Sequence, residues 1–108
     1  MNGSFEIREY TEAGRSPFAE WFGRLDAVTA ARVDRYIRRL EAGNFGAAKP
    51  LRDGVSELRL DFGPGYRVYF GRDGREIIIL LGGGSKRRQD ADTAAAVERW
   101  KRYKQTTT

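Results

Sequence analysis

The segment Ser56–Gly83 constrains the fold most, because three strand patterns follow one another with only short glycine-rich turns between them. In the first two patterns polar residues alternate with apolar ones, which are Leu58, Leu60 and Phe62, then Tyr66, Val68 and Phe70. The third, Ile77–Leu81, is continuously apolar, as in a central strand that is covered on both faces. Short turns at Gly63–Gly65 and Gly71–Gly74 connect antiparallel neighbours. The segment therefore predicts a three-stranded antiparallel meander.

Two helices are predicted before this meander. Ser16 and Pro17 supply an N-cap and a first helical residue, and a stripe at helical spacing follows at Phe18, Trp21, Phe22 and Leu25. Asp26 can cap a second helix that Gly43 ends, with its apolar stripe at Ala30, Val33, Ile37 and Leu40. Joined this tightly, the two helices predict a helical hairpin that covers one face of the sheet.

The remaining segments complete the predicted order. Phe5–Tyr10 is a short strand, Asn44–Gly54 is a loop, and Gln89–Lys104 is a C-terminal helix. The order is β-α-α-β-β-β-α, in one α+β domain over residues 1–108 whose meander is covered by the helical hairpin and followed by the last helix.

Composition excludes whole classes of chemistry. The 108 residues include no cysteine and no histidine, which leaves no thiolate nucleophile, no Ser-His-Asp triad and no typical zinc site. No apolar run approaches the length of a membrane span, and we expect a cytoplasmic protein without a membrane partner. Twenty Lys and Arg against fifteen Asp and Glu give a net charge of +5, which favours nucleic acid, a ribosome or an acidic protein segment as partner.

The uncovered face of the meander carries the candidate site. Arg59, Asp61, Arg67 and Tyr69 alternate onto it from neighbouring strands, so their side chains can converge. Such a concave basic surface can bind a phosphate backbone, with Tyr69 stacking on a base. The predicted RNA-binding residues are Lys49, Arg52, Tyr69, Arg87 and Arg88. The alternative is an ordinary solvated sheet face with cross-strand Arg–Asp pairs.

The glycines Gly82–Gly84 lead from the last strand into this basic surface. They do not form a Walker phosphate loop, since Ser85 precedes Lys86 and no glycine stands directly before the lysine. We predict instead that the strand fixes Lys86–Arg88 at the mouth of the basic face, while the glycines keep bulk away from a bound backbone.

Four stretches occur in a specific order: KPLRDGV (Lys49–Val55), ELR (Glu57–Arg59), GPGYRVYF (Gly63–Phe70) and LLGGGSK (Leu80–Lys86). Together they resemble the RelE/ParE superfamily of type II toxins, and more narrowly its HigB-like "addiction module killer protein" branch. The resemblance covers nearly the whole chain and implies a RelE-like fold. It also implies a toxin that is silenced by a cognate antitoxin, often a helix-turn-helix protein encoded by an adjacent gene.

The resemblance further implies an endonuclease that cleaves mRNA on the translating ribosome, with no metal and no cofactor. Carried over onto this sequence, the implied catalytic residues are Arg59, Arg67 and Lys86. Asp61 stands where some relatives have a second lysine, and the place of their last-helix tyrosine falls near Asp92 or Thr93. Two alternatives remain open: a non-catalytic inhibitor of DNA gyrase or another protein, as in ParE-like members, and an inactive relative that retains the fold.

Overall fold

Five strands and three helices form the part of the chain that the computed structural model describes, residues 4–107. A single 3₁₀ turn, Lys86–Arg88, precedes the last helix. In chain order the elements are β1 (Glu6–Glu9), α1 (Pro17–Gly23), α2 (Ala27–Glu41), β2 (Ala48–Arg52), β3 (Val55–Arg59), β4 (Arg67–Asp73), β5 (Ile77–Gly84) and α3 (Gln89–Thr107).

The strands form one mixed sheet in the order β1-β5-β4-β3-β2. The predicted meander is confirmed as β3, β4 and β5, which pair antiparallel, while β1 pairs parallel with β5. Strand β3 ends at Arg59 rather than Phe62, and β4 runs on to Asp73 through the predicted turn at Gly71. The fold is the expected α+β architecture, with β5 inside the sheet between β1 and β4.

The prediction that Asn44–Gly54 is a loop is wrong, because Ala48–Arg52 forms the edge strand β2, antiparallel to β3. Pro50 lacks an N–H, and an edge strand tolerates this since one side of the strand has no partner. The connection to β3 is Asp53–Gly54, whose φ angles of 55° and 83° are both positive, as a type I′ hairpin turn requires.

Helices α1 and α2 begin where the capping residues predict, whereas α1 ends at Gly23, before Leu25 of the predicted stripe, and α3 runs to Thr107, beyond the predicted end at Lys104. The Ser16 side chain accepts a hydrogen bond from the Ala19 N–H at 3.0 Å, and that of Asp26 accepts one from the Thr29 N–H at 2.7 Å. Gly43, two residues beyond the end of α2, has a φ of 88°, which glycine adopts at little cost. Among residues 4–107 there is no helix that is both long and apolar enough to cross a membrane.

The sheet has a hydrophobic core on each face. Under α1 and α2 the buried residues are Phe18, Val33, Ile37, Leu40, Leu58, Leu60, Val68, Phe70, Ile78 and Leu80. Under α3 they are Tyr10, Val55, Tyr69, Ile79, Leu81, Ala96, Val97 and Trp100. Helix α3 therefore covers much of the face that the sequence predicts to be open, and only the end of that face near Arg59 and Arg67 carries the candidate site.

Candidate nucleic-acid interface

The candidate site is built around Glu57, a carboxylate in β3 that is fully buried, with 0% of its side chain exposed. Its two oxygens accept hydrogen bonds from two arginines, from Arg59 Nε at 2.7 Å and from Arg67 Nε at 3.1 Å. A buried charge without a partner is very costly, so this double pairing is what permits the carboxylate to remain inside. Glu57 is the site residue that the sequence analysis missed.

The sheet register explains why both arginines need this carboxylate. Arg59 and Arg67 lie directly opposite each other on β3 and β4, and like charges in such a pair repel. The negative charge of Glu57 offsets part of that repulsion, and its two hydrogen bonds fix the direction of each guanidinium. Arg67 is held further, because its Nη1 donates a hydrogen bond to the Gly65 carbonyl oxygen at 2.9 Å. Arg67 is 9% exposed and Arg59 51% exposed, so the pair presents one anchored and one accessible cation.

Lys86 joins the two arginines through the turn Gly63–Gly65. The Lys86 N–H donates to the Pro64 carbonyl oxygen at 3.2 Å, which fastens the start of the 3₁₀ turn to this loop. A Cβ placed on Gly65 would lie 3.0 Å from Lys86 Cβ and 3.4 Å from Arg67 Nη1. The glycine, with a φ of 73°, therefore lies between the two cations and allows them to approach. The structure thus brings Arg59, Arg67 and Lys86 together.

Lys49 extends this group of cations onto β2, where it pairs in register with Glu57 and lies exposed at the sheet edge. Lys49 and Arg59 line a shallow depression together with Tyr36, Arg39 and Asp61. The sequence predicts that Asp61 shares a sheet face with Arg59 and Arg67, but its side chain bonds to α2 at the edge of this depression. Its carboxylate accepts a hydrogen bond from the Tyr36 hydroxyl of α2, and this bond holds the pKa of Asp61 below its ordinary value. The carboxylate of the site is Glu57 instead.

The prediction that Tyr69 stacks on a base is wrong, because its side chain is only 1% exposed and packs beneath α3. The Tyr69 hydroxyl is buried, and no described group lies in standard hydrogen-bond geometry with it. Thr93 is close enough to act as a weak partner. Burial is the main cause of the raised pKa of Tyr69. Tyr69 therefore packs in the core under α3, in register with Glu57 of the site.

The other predicted RNA-binding residues lie around the group at different distances. Arg87 and Arg88 are exposed on the same 3₁₀ turn as Lys86. Arg52 lies three residues beyond Lys49, at the hairpin end of β2, where it pairs with Asp53 at 3.3 Å and lines a separate depression with the first turn of α3. The structure therefore places Arg87 and Arg88 beside the cations of the site and Arg52 apart from them.

A cleft of about 550 Å³ adjoins the site, and we call it the glycine cleft because Gly82–Gly84 contribute its bare backbone. Trp21 and Tyr66 line it with their rings in an edge-to-face arrangement, 6.1 Å between centroids. Its charged residues are Glu20, Arg24, Arg88, Asp92 and Arg99.

The glycines do not keep space free for a bound backbone, as the sequence analysis expects, because the protein's own side chains fill it. A Cβ on Gly83 would lie 2.2 Å from Trp21 Cε3, and one on Gly84 would lie 2.0 Å from Asp92 Oδ2. A Cβ on Gly82 would lie 2.8 Å from Arg99 Nη1, which donates to the Leu81 carbonyl oxygen at 2.9 Å. The missing side chains therefore let Trp21, Asp92 and Arg99 line the cleft.

Most of the chain is similar to a described protein family. The family model "Phage derived protein Gp49-like" (DUF891) matches residues 20–104, which include Arg59, Arg67 and Lys86. An uncharacterized protein of Haemophilus influenzae is 44% identical over 80 residues, which are 73% of this chain and 81% of that protein.

Proposed function

Because the chain belongs to the Gp49-like family of phage-derived proteins, we propose that it is the toxin of a type II toxin–antitoxin pair and a metal-independent, ribosome-dependent mRNA endonuclease. The Gp49-like family is a toxin-like family of addiction modules, which supports the first part of the proposal. The observation that supports the second part is the group of three cations, Arg59, Arg67 and Lys86. One buried carboxylate orients the two arginines, and the Pro64 carbonyl oxygen holds the backbone of Lys86.

The chemistry that suits this group is attack by a ribose 2′-oxygen on the adjacent phosphorus. The 2′-hydroxyl loses its proton to solvent as the new O–P bond forms and gives a phosphorane. The bond to the 5′-oxygen then breaks and this oxygen takes up a proton from solvent, leaving a 2′,3′-cyclic phosphate and a 5′-hydroxyl. Negative charge accumulates on the phosphorane oxygens, where fixed donors stabilise the transition state most. Arg67 is held by Glu57 and Gly65, so little reorganisation is required when that charge develops.

Accessible cations around the group fit the substrate. Lys49, Arg87 and Arg88 are exposed on either side of the trio, and such residues bind phosphates without reading sequence. We therefore do not assign any sequence preference for the ribosome-bound transcript to these three residues. The net charge of +5 further favours association with the polyanionic ribosome.

Induction in cells that lack the antitoxin tests the proposal. We expect growth arrest and new transcript ends within translated regions, and a loss of cleavage of about 10²-fold in Arg67→Ala and Lys86→Ala. The matched control is Arg75→Ala, which removes the same charge from the exposed turn between β4 and β5. Arrest that persists in both folded site variants contradicts the site. Gyrase-linked DNA damage with intact transcripts indicates the non-catalytic inhibitor instead, and no arrest at all indicates an inactive relative.

The proposed partner is a cognate antitoxin, of the helix-turn-helix type and encoded by the adjacent gene. We expect its contacting segment to be acidic or amphipathic, since it must cover a basic protein. Electrostatic steering then makes the association rate fall with ionic strength. Co-purification with the adjacent gene product, at low and at high salt, tests this pairing. No complex at either salt concentration contradicts it.

A further inference from the structure

The glycine cleft and the three cations share a rim. Pro64, Tyr66, Gly84 and Ser85 line the cleft, and their chain neighbours Gly65 and Lys86 belong to the cation site. Gly84 also pairs in register with Arg67 across β4 and β5. A nucleotide next to one whose phosphate contacts Arg67 and Lys86 would therefore reach the cleft. Its volume of about 550 Å³ lies within the range of pockets that take small ligands.

Asp92 is the residue of this cleft whose position no described stabilising contact explains. Its carboxylate lies over the bare backbone of Gly84, half-buried, and forms no hydrogen bond or ion pair within the described residues. Arg88 and Arg99 are near enough to stabilise its charge, and the buried phenol of Tyr69 is near enough to interact with it. An ionised carboxylate presents only acceptors, so a ligand for it must present donors.

We propose that the glycine cleft is a nucleobase-reading subsite, in which Asp92 accepts hydrogen bonds from the Watson–Crick edge of a guanine that flanks the cleaved bond. The inference deepens the proposed endonuclease function and depends on it for its biological meaning, although the binding it describes is measurable without cleavage.

Guanine is the base that suits the Asp92 carboxylate, since Glu20, the other carboxylate of the cleft, is already paired with Arg15 at 2.6 Å. Its Watson–Crick edge carries two adjacent donors, N1–H and N2–H, which match the two oxygens of Asp92. Adenine and cytosine each present one amino group next to an acceptor, and that acceptor would face a carboxylate oxygen. Uracil presents a single donor between two acceptors. Single-stranded RNA is read on these base edges, and charge-assisted bidentate pairs are the strong ones.

The other residues of the cleft suit the rest of the nucleotide. Trp21 and Tyr66 contribute aromatic rings to the same cleft as Asp92, and such rings suit the flat surface of a base. Arg24 and Arg88 are exposed at the cleft, and among the described contacts neither forms an ion pair, so both remain available for phosphate. A guanine nucleotide thus matches the cleft in its donors, its rings and its charge.

The test is a binding titration of the intact chain with the 5′-monophosphates of guanosine, adenosine, cytidine and uridine, and with inorganic phosphate. The indole N–H signal of Trp21 in a heteronuclear spectrum reports occupancy of the cleft, and that of the buried Trp100 serves as internal reference. We expect GMP to bind most tightly and Asp92→Asn to weaken GMP about tenfold, while UMP changes little. Asp90→Asn is the matched control, an exposed carboxylate in the first turn of the same helix.

Equal affinity for the four nucleotides, or GMP binding that Asp92→Asn leaves unchanged, overturns the inference. Inorganic phosphate that binds as tightly as GMP overturns it as well, because base reading then adds nothing. A GMP preference that Asp92→Asn abolishes and Asp90→Asn preserves supports it. This result is independent of cleavage, so a chain that reads guanine but cuts no transcript refutes the endonuclease proposal and leaves the subsite standing.

Discussion

Arg59 and Arg67 face each other across β3 and β4, and the buried carboxylate of Glu57 binds the Nε atoms of both. The two guanidinium groups therefore lie side by side, and both pair with a buried acid rather than with a solvent-exposed one. It also makes the geometry of both cations depend on one residue. Loss of that residue affects the fold and the site together.

Glu57→Gln is expected to destabilise the protein by about 3 kcal/mol, because removing one partner of a buried ion pair leaves the other charge uncompensated. The nearly buried Arg67 carries most of this cost, since Arg59 can turn to water. Denaturant unfolding measures the change. Glu98→Gln serves as control, since its 3.8 Å pair with Lys101 is solvent-exposed and contributes less than about 1 kcal/mol. Equal stability of the two variants would show that Glu57 is not the anchor.

Arg67→Lys is expected to fold but to lose about 10²-fold in transcript cleavage. A lysine keeps the charge, but one ammonium cannot reproduce the guanidinium that bonds Glu57 through Nε and the Gly65 carbonyl through Nη1. Cleavage of a reporter transcript in a translation extract measures the effect, with Arg75→Lys as the control. Full activity of Arg67→Lys would mean that charge alone is required at this position.

Alternation along the strands predicts correctly that Arg59, Arg67 and Tyr69 share a sheet face, but it does not show which part of that face is covered. The spacing of Ala96, Val97 and Trp100 gives α3 an apolar stripe, but which part of the sheet this stripe covers, here the part around Tyr69, depends on the arrangement of the whole chain. Glu57 lies on the same face, in register with Tyr69, and its side chain is fully buried. A strand pattern makes a glutamate beside Leu58 look solvent-exposed, so its role was not evident without the fold.

The hairpin of β2 and β3 has a local sequence signal at its turn. Asp53–Gly54 is a strong two-residue turn sequence, and the alternation on its far side marks β3. Pro50 and the small residues before it weaken the strand pattern of Ala48–Arg52, so the segment looked like loop. Capping residues were more reliable, because Ser16 and Asp26 act through contacts within four residues and need no tertiary context.

Gly83→Ala is expected to destabilise the fold by about 1–3 kcal/mol, because the added methyl overlaps the Trp21 ring and forces this side chain to move. Gly23→Ala is the matched control, since no atom lies within 4 Å of an added Cβ at the end of α1. Thermal unfolding of the two variants measures the difference. A stable Gly83→Ala protein would indicate that Trp21 can leave the cleft freely, and the cleft would then lack this aromatic ring.

The guanine preference is expected to depend on pH through Asp92. Burial raises the pKa of its carboxyl above the ordinary value, although Arg88 and Arg99 oppose this. A raised pKa means that the carboxylate gains its proton while the pH is still above the value of about 3.9 that is usual for aspartate. The protonated group loses one acceptor, so the ratio of GMP to UMP affinity should fall towards one as the pH is lowered from 7 to 4. The ratio is the right quantity, since both nucleotides share the titration of the phosphate. In Asp92→Asn the ratio should be small and flat across the same range. A wild-type ratio that stays constant while the spectrum remains that of the folded protein would exclude Asp92 as the group that reads the base.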